Sequence, residues 1–163
     1  MIMKRKSVQI VLILSLVTGM SACNNMKEEP AAVVVDKEQI KKEIQARENE
    51  FAAAYNDEGK RNIGYYAEDA VSYYQNRAPL VGKATIIEYL TAGIDSNSNK
   101  ISFKTNEVFV CNGGDQVLEL GSFTVVDSSN NRVNTGNYMS LFEKRNGKYV
   151  CLRDMSASDI PLQ

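Results

Sequence analysis

Histidine and tryptophan are absent from the sequence, and proline and cysteine occur only three times each. The missing histidine removes the usual general base and the commonest metal ligand together. Ser-His-Asp triads, Cys-His dyads, HExxH zinc sites and two-histidine iron sites are therefore excluded. An excess of one charge is lacking too: 19 Lys and Arg stand against 20 Asp and Glu, a formal charge of −1. Nothing marks an electrostatic footprint for nucleic acid, and aromatics without a basic groove do not make a single-strand platform. The expectation is a protein with no metal, no cofactor and no nucleic-acid partner. Its 163 residues suit one domain with a tail.

The N-terminus reads as a processing signal. Lys4, Arg5 and Lys6 precede residues 8–20, of which nine are apolar. A spanning helix needs roughly 20 apolar residues, so this run is a signal-peptide core and not a stable anchor. It ends in Gly19-Met20-Ser21-Ala22-Cys23, which resembles the lipobox of bacterial lipoproteins, with Met20 where that motif prefers Leu. The resemblance implies cleavage before Cys23 and acylation of its thiol. The alternative is ordinary cleavage near Ala22, with Cys23 a plain thiol. In the enterobacterial sorting pattern Asn24 permits transfer to an outer membrane, if the host is Gram-negative. The expected organisation is a signal peptide over 1–22, a lipidated Cys23 and flexible tether over 23–36, and one domain over 37–163. The domain would sit in the bacterial cell envelope, outside the cytoplasm, held to the membrane through Cys23. Cleavage leaves 16 basic against 20 acidic residues, or −4.

Asp36 is a good N-cap, and Gln39 three residues on completes a capping-box pattern. Ile40, Ile44, Phe51 and Tyr55 fall on one face of a helix that runs to about Asp57 and breaks at Gly59. Lys41, Lys42, Glu43, Glu48 and Asn49 are placed mostly off that stripe. Residues 61–66 read as a short helix with 67–69 as its exit, 70–74 as a strand and 79–81 as a short return strand. Residues 83–93 form a second amphipathic helix through Ile86, Ile87 and Leu90, with Gly93 near its C-cap. Four strand-like runs follow, 101–111, 116–126, 133–144 and 148–155, the last two joined by Asn146-Gly147, a strong hairpin signal. The fold class is α+β, with helices on one face of a curved, mostly antiparallel sheet. Both faces of the strands stay apolar where one solvated face would alternate: Leu118, Leu120 and Val126 oppose Phe123 and Val125, and Val108 and Val110 oppose Ile101, Phe103 and Phe109. Homodimerisation through the sheet is the economical cover.

Several segments resemble the nuclear-transport-factor-2-like superfamily, in its SnoaL-like and ketosteroid-isomerase-like branch. They are Glu48-Asn49-Glu50-Phe51-Ala52-Ala53-Ala54-Tyr55-Asn56, Tyr65-Tyr66-Ala67-Glu68-Asp69-Ala70-Val71 and Leu80-Val81-Gly82-Lys83-Ala84-Thr85-Ile86. Gly136-Asn137-Tyr138, Asn146-Gly147-Lys148-Tyr149 and Arg153-Asp154-Met155 resemble its closing strands. The resemblance covers about residues 37–159 and implies a conical, cystatin-like half-barrel with a pocket between helices and sheet. Its members include isomerases, cyclases, dehydratases and dimerisation modules, so fold carries little functional information. Five residues after Asp69, where the steroid isomerases carry their carboxylate base, this chain has Tyr74. A phenol with a pKa near 10 is a poor proton shuttle.

Each candidate site residue has two readings. Asp69 either fixes the turn or is a pocket carboxylate. Asp154, placed by simple alternation on a face with Val150 and Leu152, is a pocket acid–base group or pairs with Arg153 at the rim. Glu119 is an exposed charge or a second pocket acid. Tyr55, Tyr74 and Tyr138 offer hydroxyls to a ligand or fill a core. Cys111 and Cys151 could form a disulfide in an exported protein but are expected to be free, buried thiols. Three functions remain open: a binder of a small apolar or amphipathic ligand, an envelope interaction module, and a cofactor-free isomerase, cyclase or hydratase. In the last, Asp154 is the catalytic base and Tyr138 or Tyr74 donates to an enolate oxygen.

Overall fold

The computed structural model describes residues 35–57, 63–92 and 99–161. The signal, Cys23 and most of the tether lie outside the described residues, as do the helix breaks at Gly59 and Gly93 and the loop over 95–98. Helix α1 (Lys37–Asn56) begins where Asp36 accepts a hydrogen bond from the Gln39 amide at 3.0 Å. The Gln39 side chain turns to Glu43 (3.2 Å), so only the forward half of the capping box forms. Ile40, Ile44, Glu48 and Phe51 make the buried stripe.

A neighbouring polar stripe on α1 covers a sheet edge. The sheet has six strands in the order β2-β1-β6-β5-β4-β3: β1 (Tyr66–Tyr73), β2 (Leu80–Val81), β3 (Lys100–Val110), β4 (Gln116–Val126), β5 (Arg132–Arg145) and β6 (Lys148–Ser158). Among the described residues strand β3 is an edge, with backbone groups that no further strand pairs. Asn56 bonds both the carbonyl and the amide of Ile101 (2.8 and 2.9 Å). Gln45 takes the Thr105 amide at 2.8 Å and donates to the Phe103 carbonyl, and Lys41 reaches the Asn106 carbonyl. Side-chain amides thus stand in for a strand and blunt an edge that would otherwise template aggregation.

Strands β3 to β6 form the expected antiparallel meander, while β1 joins β6 in parallel. The Asn146-Gly147 hairpin has φ of 52° and 77°, the paired positive values a tight primed turn needs. Helix α2 (Lys83–Ala92) packs on β1 and β2. Tyr66 to Asp69 belong to β1 and not to a helix exit, because Tyr66 pairs with Cys151 of β6. Tertiary pairing overrides the local helical tendency there.

Two register shifts revise the two-faced reading of the strands. One lies in β3 between Thr105 and Glu107, and Ile101, Phe103, Thr105, Val108 and Val110 all turn toward the helices. The other lies where Leu141 and Phe142 of β5 pair with Arg153 and Cys151, leaving Leu152 as the extra residue. A bulge moves every later side chain to the opposite face. The core on the inner face holds Ile44, Ile63, Ile86, Val108, Val117, Phe142 and Cys151, each at most 1 % exposed. Fully burying such a side chain stabilises by about 1.5–3 kcal/mol.

Candidate functional site

Between α1, the end of α2 and the inner sheet face lies a cavity of about 520 Å³. Six of the eight tyrosines and three of the five phenylalanines line it, so the aromatic residues are concentrated at its wall. Its ionisable lining, phenols aside, consists of Glu48 and Asp154, with no Lys or Arg among the described residues. A volume in this range with apolar walls and few polar groups is the usual form of a small-molecule site.

The polar groups come from one row across the sheet. Glu119 on β4, Ser140 on β5, Asp154 on β6 and Ser72 on β1 pair in register and point inward. Glu48 descends onto this row from α1. Its Oε1 accepts the Tyr65 phenol proton at 2.5 Å, and its carboxyl faces that of Glu119. Glu119 Oε1 in turn accepts from Thr105 (2.5 Å) and Tyr138 (2.9 Å). Both acids are at most 1 % exposed. Burial pushes Glu48 well above the usual carboxylate range, and the neighbouring Glu119 charge raises it further. Glu119 is raised by burial too, but its hydrogen-bond donors oppose the rise. Glu119 Oε2 is buried without a hydrogen-bond partner, and a proton held between the two carboxyls would satisfy it.

Gly121 makes the Tyr138 contact possible. The two residues pair across β4 and β5, and a Cβ on Gly121 would meet the Tyr138 ring at 2.1 Å. Only glycine lets the phenol lie flat across the strand and reach Glu119.

Asp154 forms the second acidic position. Its Oδ2 accepts from the Tyr66 phenol at 3.0 Å, and Ser72 lies beside it in register. Burial raises its carboxyl, opposed by Ser72 and Tyr66. The bulge at Leu152 puts Asp154 on the inner face with Tyr149 and Cys151, not with Val150 as alternation suggested. Arg153 points the other way, its guanidinium on the Leu152 and Asp69 carbonyls, so the rim pairing with Asp154 does not form.

Tyr55, Tyr74, Tyr138 and Asp154 line the cavity. Asp69 does not, which corrects the pocket expectation for it: it is exposed and held by Arg145 at 2.6 and 3.2 Å, which lowers its carboxyl. Burial raises the Tyr74 phenol to about 12, which suits a hydroxyl donor and not a base. Glu119, expected more as an exposed charge, sits behind the wall. Glu48 was placed off the buried stripe and belongs to it. The available signal was its spacing, four residues after Ile44 and three before Phe51. Cys111 and Cys151 are free thiols; Cys151 is buried as expected, whereas Cys111, just past the end of β3, is exposed, which corrects the expectation for it. Among the described residues no group of three ligating side chains is arranged to hold a metal ion.

No protein-family model and no curated protein matches this chain. Solved structures do match it. A domain of unknown function with a cystatin-like fold from Nostoc punctiforme has a TM-score of 0.65 at 14 % identity, over 76 % of this chain and 80 % of that one. A second cystatin-like protein from the same organism gives 0.63 at 19 % identity, over 75 % and 92 %. A ketosteroid isomerase-like protein from Erwinia carotovora atroseptica gives 0.60 at 17 % identity, over 74 % and 96 %. The class these likenesses define is the cystatin-like α+β half-barrel, with helices packed on a curved, open sheet.

Proposed function

We propose that this domain binds a small apolar or amphipathic molecule in its cavity. The single observation that carries the reading is the 520 Å³ space walled by nine aromatic side chains over an acidic floor. A cofactor-free enzyme using Asp154 as base stands behind it, because Tyr138, one of the two expected donors to an enolate oxygen, directs its proton to Glu119 and leaves that role to Tyr74. The test is saturable fluorescence enhancement of the neutral dye N-phenyl-1-naphthylamine by the full chain. Leu90→Trp, which fills the wall from α2, should weaken dye binding at least tenfold with the fold retained by circular dichroism. Absence of enhancement, or enhancement indifferent to that change, overturns the reading.

A second reading has its own support. On the outer sheet face Leu120, Met139, Met155 and Tyr73 stand in one row across β4, β5, β6 and β1, and Met139, Met155 and Tyr73 are exposed. Such a row fits the self-complementary interface of a homodimer. Leu120→Lys should then shift sedimentation from dimer to monomer, and an unchanged sedimentation coefficient rejects it. Export and anchoring at Cys23 complete the proposal; the intact mass of membrane-extracted protein carries the diacylglyceryl increment or does not.

A further inference from the structure

The hydrogen bonds of the cavity have a direction. Each phenol has one proton and further acceptor capacity. Tyr65 commits its proton to Glu48, Tyr66 to Asp154 and Tyr138 to Glu119. Thr105 likewise points its hydroxyl at Glu119. Glu48 and Glu119 face each other at the wall. A ligand oxygen brought up to Glu48 and Asp154 therefore finds acceptors, with their neighbouring phenols already committed, while Tyr74 is among the lining hydroxyls that remain as donors.

The charges have a direction as well. The groups facing Glu48 are Tyr65 from the turn before β1, Glu119 from β4, Tyr138 from β5, and Asp154 and Cys151 from β6. They comprise two acids, two phenols and a thiol, with no cation among the described residues. The guanidinium of Arg47, next to Glu48 in the α1 sequence, is engaged by Glu50 and the Gly64 carbonyl. Aromatic ring faces supply the rest of the wall, and they attract cations through their quadrupoles. Tyr89 already does so at the rim, with the Arg77 guanidinium 4.0 Å over its ring.

From this donor-poor, acid-floored, aromatic-walled geometry we infer that the molecule the cavity takes carries a protonated amine on an apolar body, the ammonium lying between Glu48 and Asp154. The inference rests on the binding reading above and names its ligand class. Bringing an ammonium beside Glu48 favours the ionised carboxylate, so binding releases the proton the empty pair retains.

Three matched probes test it on the full chain, by isothermal titration and by displacement of the neutral dye: 4-phenylbutylamine, 4-phenylbutan-1-ol and 4-phenylbutyrate. The amine is expected to bind at least tenfold tighter than the alcohol, and the acid weakest. Titrations of the amine in phosphate and in Tris should differ by the heat of about one released proton. Asp154→Asn should bring the amine-to-alcohol ratio close to one. An alcohol or acid that binds as well as the amine overturns the inference while the dye still reports an intact binding cavity. An amine that fails to displace a bound dye overturns it equally. Failure of the dye itself to bind is the separate failure of the cavity reading.

Discussion

The cavity floor holds two acidic centres on one row of the sheet, two strands apart and so roughly 10 Å, and they are built differently. Glu48 and Glu119 face each other, fully buried, with the hydroxyls of Thr105, Tyr138 and Tyr65 turned toward them. Asp154 is alone, less deeply buried, and flanked by Tyr66 and Ser72. Burial raises all three carboxyls, but only the pair adds a second negative charge to that burial. A lone buried acid with donors can hold its charge at modest cost. Two acids without a cation keep a proton between them.

The comparison predicts unequal damage. Glu119→Ala removes, from a fully buried position behind the cavity wall, the acceptor of the Thr105 and Tyr138 hydroxyls and the group that faces Glu48. It should destabilise the domain by about 3–5 kcal/mol. Asp154→Ala leaves Tyr66 and Ser72 beside the cavity, where water enters, and should cost about 1–2 kcal/mol. Equal losses in urea unfolding would mean that the pair is no more committed than the single acid.

Alkaline pH separates the centres next. An unfolded glutamate titrates at about 4.3, and Glu48 in the fold lies well above that. The folded chain therefore holds the extra proton between those two values. Stability is fully present below the ordinary carboxylate pKa and falls as pH rises through the raised one. The loss should appear as pH rises above the ordinary carboxylate value, with a slope of at most about 1.4 kcal/mol per pH unit for the one proton. Glu48→Gln keeps a hydrogen-bond donor toward Glu119 without the charge, so it should flatten this slope by about half or more. A variant whose melting temperature tracks the parent chain as pH rises would place the proton elsewhere.

A smaller effect is expected from the strand that brings Tyr138 to the pair. Gly121→Ala forces the phenol off the backbone it covers, for about 1–3 kcal/mol of overpacking. Removing the ring with Tyr138→Leu in the Gly121→Ala background should recover part of that loss. A full additive penalty in the double variant would separate the glycine from the tyrosine.

The order of helices and strands was legible because apolar spacing, Asn-Gly and the Asp36 cap act locally. The bulges were not. Simple alternation set Asp154 beside Val150, and split Val108 from Phe103, because one inserted residue leaves no mark in a two-residue period. The candidate site was half legible for a related reason. Tyr55, Tyr74, Tyr138 and Asp154 carry a chemistry that draws notice, whereas Glu48 on a polar-looking helix and Glu119 mid-strand look like solvated charges until they meet. Their pairing is a long-range event, joining residues from α1 and β4 that no local pattern connects. The parallel contact of β1 with β6, which converts the expected helix exit into strand, is long-range in the same sense.

Asp69 supplies the opposite extreme and the smallest expected effect. It carries the family-like turn motif, sits in water and has a guanidinium on both oxygens. Arg145 lowers its carboxyl where burial raises Glu48. Its stabilising contribution is present above the ordinary aspartate pKa and is lost as pH falls through the lowered folded value, the reverse of the buried pair. Exposed pairs of this kind are screened by solvent and salt and contribute little. Asp69→Asn should therefore leave the melting temperature at pH 7 unchanged within error and leave dye and amine binding untouched. A loss of amine affinity in that variant would show that charge reaches the cavity from the surface, and would weaken the case that Glu48 and Asp154 set the ligand's sign.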